Sequence, residues 1–230
     1  MSEVIEHTLT HEIKVYYDFF LPDSTRKLPL LIAMHGYGGD KASMMRLARR
    51  INENDFAIVT LQGPHQHLVY PTKENPTLGF GFGWLTNFHA EESVALHHSA
   101  VREIIRHAEN SGRVDTSRVF LLGFSQAVGV NFRFAFTHSD LIAGVVAICG
   151  GIPGDWDTGE KYSGSSIDVL YISGERDEFY SPQRIEEYAA ALRTRARSVS
   201  LRILSSGHEV SRESYSIMDE WLRERAGVGT

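Results

Sequence analysis

Val119-Phe-Leu-Leu-Gly-Phe-Ser125-Gln-Ala-Val-Gly-Val-Asn-Phe-Arg-Phe-Ala-Phe136 carries two unlike patterns across one tight turn. Val119–Leu122 is apolar without alternation, as a strand covered on both faces must be. From Gln126 to Phe136 the chain is strongly apolar over a length that suits a buried helix. Between them, Gly123-Phe-Ser-Gln-Ala127 fits the pattern G-x-S-x-G/A. Between a buried strand and a buried helix this reads as a nucleophile elbow, a sharp turn that holds a serine hydroxyl above the sheet. Small residues flank such a serine because strand and helix backbones approach closely there. The pattern alone is weak, since a chain of this composition shows it by chance about one time in six to ten; its placement is what gives it weight. Gly164-x-Ser166 shares the first half but precedes a strand, at the other edge of the sheet. The competing role for Ser125 is an N-cap on the Gln126 helix.

Working outward, short apolar runs alternate with amphipathic stretches. Ile13 to Leu21 reads as a strand of mixed patterning. Leu30–Met34 reads as a buried strand that ends in His35-Gly-Tyr-Gly-Gly39, with Asp40 as N-cap of a helix through Asn52. Phe56–Leu61 is the next strand, stopped by Gly63-Pro64. From Gly63 to Phe88 no clean period appears, and this Pro-, Gly- and aromatic-rich segment reads as a long pocket-lining loop. Between Glu91 and Asn110, Val94, His98, Val101, Ile105 and Ala108 recur at helical spacing. Strands are expected at Gly144–Ile148, Val169–Ile172 and Val199–Ile203, with helices at Pro182–Arg195 and Val210–Arg225. Repeated strand-then-helix units with unalternating strands predict an α/β fold: a mostly parallel central sheet flanked by helices on both faces. Sites in such sheets lie beyond the carboxyl ends of the strands.

The 230 residues suffice for one α/β domain over 1–230, with no linker, charge block or repeat to divide it. A net charge of −6 argues against a nucleic-acid partner. The arginines from Arg193 to Arg202 fall around a helix end and complement its dipole. MSEVIEHTLT lacks the basic start and apolar run of a signal peptide, and no stretch is long enough to span a membrane. The single cysteine, Cys149, excludes an internal disulfide framework, so the chain is expected to be cytoplasmic, with Cys149 a small core residue.

A serine hydroxyl needs an adjacent base to attack at neutral pH. His208, in Ser205-Ser-Gly-His-Glu-Val210, follows the last strand, where the order Ser…Asp…His requires the base; its alternative is a helix cap. The acid that fixes the imidazole tautomer is sought after Val169–Ile172, and Asp177 fits best, with Glu175 and Glu178 as rivals. Asp168 precedes its strand. Oxyanion donors are expected from the backbone N–H groups of Gln126 and of Tyr37 in the glycine turn, with His35 ordering that turn. No Lys-Ser/Thr follows the glycines, so a P-loop is not indicated. His65-Gln-His67 has no third ligand at convincing spacing, and neither a metal nor a cofactor is expected.

The chain resembles the phospholipase/carboxylesterase family, which includes acyl-protein thioesterases and small bacterial carboxylesterases. The resemblance runs from about Leu30 to Trp221. It rests on His35-Gly-x-Gly-Gly-Asp40, Gly83-Trp84, Arg118-Val-Phe-Leu-Leu-Gly-Phe-Ser-Gln126, Gly174-x-x-Asp177 and Gly207-His-Glu-Val210. It implies an α/β-hydrolase fold and a metal-independent hydrolase of carboxylic esters or thioesters. Ser125, Asp177 and His208 would form its triad, and Tyr37 and Gln126 its oxyanion hole. Three positions depart from the family pattern. Ala127-Val128 stands where Gly-Gly is usual, and Ser173 where His is usual before the glycine. A small-molecule ester or thioester is the expected substrate, with Trp84, Phe82, Tyr70 and Phe124 expected at its binding site.

Overall fold

The computed structural model describes residues 4–71, 76–158 and 161–228. Seven strands form the main sheet: β1 (Tyr17–Phe20), β2 (Leu28–Met34), β3 (Ala57–Leu61), β6 (Val114–Phe124), β7 (Gly144–Ile148), β8 (Asp168–Gly174) and β9 (Ser198–Leu204). Their order is β1-β3-β2-β6-β7-β8-β9. Only β1 runs antiparallel to its neighbour, pairing Tyr17 with Leu61 and Phe20 with Ile58. It is four residues long, shorter than the patterning of 13–21 suggested, and it lies at the sheet edge. An edge strand has one partner to order it, so pairing stops where β3 stops.

Parallel strands must be connected by crossovers, and the helices that make them cover both faces. Alternate residues of each strand serve the two sides. Leu30, Ile32, Met34, Val119 and Leu121 join one core with side chains of α2 (Ala90–Asn110), α3 (Gln126–Thr137) and α4 (Pro182–Arg193). Leu31, Ala33, Phe120 and Leu122 join the other with α1 (Lys41–Asn52) and α5 (Arg212–Ala226). Every residue of β2 is buried, so each large apolar side chain there contributes about 1.5–3 kcal/mol. Asp40 caps α1 as expected, its Oδ1 accepting from Ser43 N–H at 2.6 Å. Among the described residues no helix is long and apolar enough to cross a membrane.

Two elements differ from their sequence reading. The segment 63–88 is not a plain loop: β4 (His65–Val69) and β5 (Gly79–Gly83) pair as an antiparallel hairpin, with Leu68 opposite Phe80. Three of the five β5 residues are glycines and both strands expose one face, so hydrophobic periodicity had almost nothing to register. Residues 72–75 of that segment lie outside the described residues.

The buried face of α2 is Ser93, His97, Val101, Ile104, Ile105 and Ala108, so His97 rather than His98 enters the core. His97 fits because it meets Trp84 edge-on at 5.8 Å and Met34 Sδ at 3.1 Å. His98 is half-buried against Phe134 and His138. Burial, with help from neighbouring His98, pushes the His97 imidazole down to about 3. A histidine that stays neutral when folded but protonates when unfolded takes up protons on unfolding between its two pKa values. Its stabilising contribution is therefore complete above the unfolded pKa of 6.5 and is lost as pH falls towards about 3. Between neutral pH and about pH 4.5 the expected loss from His97 is about 2–3 kcal/mol. Urea unfolding at both pH values checks this, with His97→Leu expected to flatten the difference by that amount. An equal pH dependence in the variant would show that the acid sensitivity arises elsewhere.

Candidate active site

The carboxyl ends of β6, β8 and β9 converge on one spot. Ser125 follows β6 and has φ 54° and ψ −117°, a left-handed conformation that a side chain tolerates only under constraint. The constraint is local. Ser125 N–H donates to Ile148 O at 2.9 Å, and Ser125 O accepts from Val128 N–H at 3.0 Å. A Cβ on Gly123 would stand 2.8 Å from Asn131 Nδ2 and 3.1 Å from the Ala127 carbonyl carbon, so only glycine permits this strand–helix approach. Ser125 occupies the N-cap position of α3, yet its side chain makes no capping bond. Its Oγ lies instead 2.9 Å from His208 Nε2. That decides against the capping alternative.

His208 Nδ1 lies 2.9 Å from Asp177 Oδ2. The carboxylate accepts, so Nδ1 carries the hydrogen and Nε2 is left to accept from the serine hydroxyl. The other oxygen, Asp177 Oδ1, accepts from the N–H groups of Phe179 (2.9 Å) and Tyr180 (3.0 Å). Burial alone would raise the Asp177 pKa. The bonds from His208 and these two amides outweigh it and hold the carboxyl below its ordinary value. The turns bearing acid and imidazole are laced together by Glu175 N–H to Leu204 O (2.8 Å) and Arg176 N–H to Ser206 O (2.9 Å). Glu175, one rival to Asp177, accepts from Ser205 Oγ and Arg176 and points away from His208. Glu178, the other, is exposed. Asp168 lies at the opposite end of β8, held by Arg197, Arg225 and Ser198.

The glycine turn after β2 stands over the serine. Gly38 N–H donates to Phe82 O and Gly39 N–H to Gly36 O, whereas Tyr37 N–H has no acceptor among the described residues. His35 is buried beneath this turn. Its Nδ1 donates to Gly36 O (2.7 Å) and its Nε2 accepts from Gly63 N–H (2.9 Å). Burial lowers its pKa, which keeps it the neutral, turn-ordering residue expected. The Gln126 side chain adds a tie that the sequence did not announce: its Oε1 accepts from Trp84 N–H at 2.7 Å, fastening the hairpin to the elbow.

A cavity of about 350 Å³ opens beside His208 and Phe124, lined also by Gly36, Tyr37, Met44, Leu47, Glu209 and Val210 among others. Of the four aromatics expected at the substrate site, Phe124 borders it. Trp84 does not: it is buried, with Nε1 donating to His35 O at 2.7 Å, because an indole in the core needs a partner for its N–H. Phe82 is half-buried on the hairpin and Tyr70 is exposed beyond it. Met44, Leu47 and Val210 were not foreseen, although Met44 and Leu47 are spaced i, i+3 on the helix that follows the glycine turn. The paired histidines diverge. His65 Nε2 bonds Ser93 Oγ at 2.8 Å, and His67 stacks on the Tyr37 ring at 4.3 Å. Among the described residues, the only His, Cys, Asp or Glu group close enough to share an ion is Cys149, Asp177 and His208, the buried Cys149 lying behind the acid.

The family model described as Phospholipase/Carboxylesterase matches residues 21–225. The chain belongs to that family. Membership makes it an ester hydrolase of the serine class and places its fold among the α/β-hydrolases. The Bacillus cereus carboxylesterase is similar over 92% of this chain and 94% of its own, with TM-score 0.71 and 18% identity. The Mesorhizobium loti carboxylesterase matches at TM-score 0.66 and 22% identity, covering 84% and 88% of the two chains. A phospholipase/carboxylesterase from Dyadobacter fermentans matches at TM-score 0.68 and 18% identity, over 94% and 98%. Identities this low speak for the fold alone. The family's usual glycine at position 128 is valine here, and Gly150 faces it. A Cβ on Gly150 would stand 2.4 Å from Ser125 O and 2.6 Å from Val128 Cγ2, so only glycine fits beside the elbow there.

Proposed function

We propose that this chain hydrolyses carboxylic esters through an acyl-enzyme on Ser125, with His208 as general base and then general acid and Asp177 as its orienting anion. The observation that supports this most directly is the single imidazole standing 2.9 Å from both Ser125 Oγ and Asp177 Oδ2. As Ser125 Oγ attacks the ester carbon, its proton passes to His208 Nε2, and the imidazolium is stabilised by the buried carboxylate. The negative charge on the former carbonyl oxygen is received by the N–H groups of Tyr37 and Gln126. His208 then gives its proton to the departing alcohol oxygen as the C–O bond breaks. A water deprotonated by the same nitrogen then attacks the acyl carbon, and His208 returns that proton to Ser125 Oγ as the acyl–oxygen bond breaks, releasing the acid and regenerating the serine. No cofactor takes part in this scheme.

The acyl chain occupies the cavity between Phe124, Met44, Leu47 and Val210, whose apolar walls favour a hydrocarbon over a charged group. About 350 Å³ is near the low end for small-molecule sites, ~300–1,000 Å³, which suits a short chain. A fluorophosphonate probe is expected to label the protein covalently, with the added mass on the peptide containing Ser125. A series of acyl lengths, each as oxygen ester and thioester, is expected to peak at about four to eight carbons. Absence of labelling at Ser125 would overturn the acyl-enzyme. A maximum at long chains, or with lysophospholipids, would move the acyl site out of this cavity.

A further inference from the structure

Three rings surround His208: Phe124 at 5.0 Å, Tyr180 at 6.1 Å and Phe179 at 4.7 Å. Phe124 borders the cavity. Phe179 does not, and it is 62% exposed, a large apolar ring held against a buried-edge imidazole yet open to solvent. Its main chain is tied to the acid, because its own N–H donates to Asp177 Oδ1, so the turn that carries the acid also presents the ring. Exposed phenylalanines are common singly and mean little by themselves. This one touches the side chain that, on the reading above, protonates the departing atom.

In that scheme the departing oxygen must come within hydrogen-bond reach of His208 Nε2, so the group attached to it lies against His208. Two spaces adjoin this imidazole. The cavity bordered by Phe124 is taken by the acyl chain, and the other side, past the exposed Phe179, faces solvent. We infer that Phe179 forms a leaving-group subsite that selects esters of flat aromatic alcohols, stacking the departing aryl group on its exposed ring. The inference rests on the proposed roles of Ser125 and His208. Aromatic pairs contribute about 0.5–1.5 kcal/mol beyond the area they bury, equivalent to about two- to tenfold in rate when the contact exists in the transition state.

The test uses two esters with the same short acyl group, one aryl and one fluoroalkyl, chosen so that the two alcohols are equally acidic. Their kcat/KM ratio removes intrinsic leaving-group reactivity. It also cancels any loss of folded protein, because both substrates meet the same population of sites. The wild type is expected to favour the aryl ester. Phe179→Leu keeps the apolar bulk and is expected to reduce the ratio about three- to tenfold, whereas Phe179→Tyr keeps it within about twofold. An unchanged ratio in Phe179→Leu, including an equal fall for both esters, would overturn the subsite while leaving the triad intact. Turnover retained by Ser125→Ala would overturn the triad and the subsite together.

Discussion

Ser125→Ala is expected to lower kcat on a short-chain p-nitrophenyl ester by about 10⁴–10⁶-fold while the protein stays folded. The substitution deletes one oxygen whose hydrogen bond is to His208, so the core contacts of α3 and β6 are untouched. Alanine carries the same Cβ as serine, and the left-handed φ of 54° is strained to the same degree in both. The residual rate should be that of an oxyanion site and bound water without a nucleophile. Steady-state kinetics with circular dichroism on the same sample checks both halves. Undiminished hydrolysis by a folded variant would remove Ser125 from the mechanism.

Asp177→Asn is expected to cost about 10³–10⁴-fold in kcat, for a reason particular to this site. Asp177 Oδ1 is committed to two backbone donors, Phe179 and Tyr180 N–H. An asparagine must keep its carbonyl oxygen there, since an NH₂ group facing two N–H donors would leave all of them unpaired. Its NH₂ then faces His208 Nδ1 and forces that nitrogen to accept. The hydrogen moves to Nε2, which can no longer take the serine proton. The loss should fall on kcat with little change in KM, because the apolar cavity is unaltered. A reduction below tenfold would mean that Asp177 does not set the tautomer.

The sheet was legible because its strands are buried on both faces. Leu30–Met34, Phe56–Leu61, Gly144–Ile148 and Val169–Ile172 are runs that no other common element explains, and each lies within or within one residue of an observed strand. The hairpin β4–β5 was not, because its glycines and one exposed face erase the pattern that a core imposes. The face of α2 was misread at His97 for a related reason. His97 and His98 are adjacent and of one residue type, so periodicity alone does not choose between them, and only the neighbours Trp84 and Met34 make His97 the buried one.

For the site, the linear chain determined which residues stand at strand ends: Ser125 after β6, Asp177 after β8 and His208 after β9. Parallel strands in one sheet end at one edge, so three residues separated by 83 and 31 positions are brought within hydrogen-bond reach by topology alone. What surrounds them was decided by tertiary packing. Trp84 went into the core because its indole N–H found His35 O, and the cavity fell to Met44, Leu47 and Val210 because α1 and the segment between β9 and α5 meet beside His208. Wall residues are set by which elements happen to meet, and that depends on the distance and angle between helices. No periodicity within a single helix carries that information.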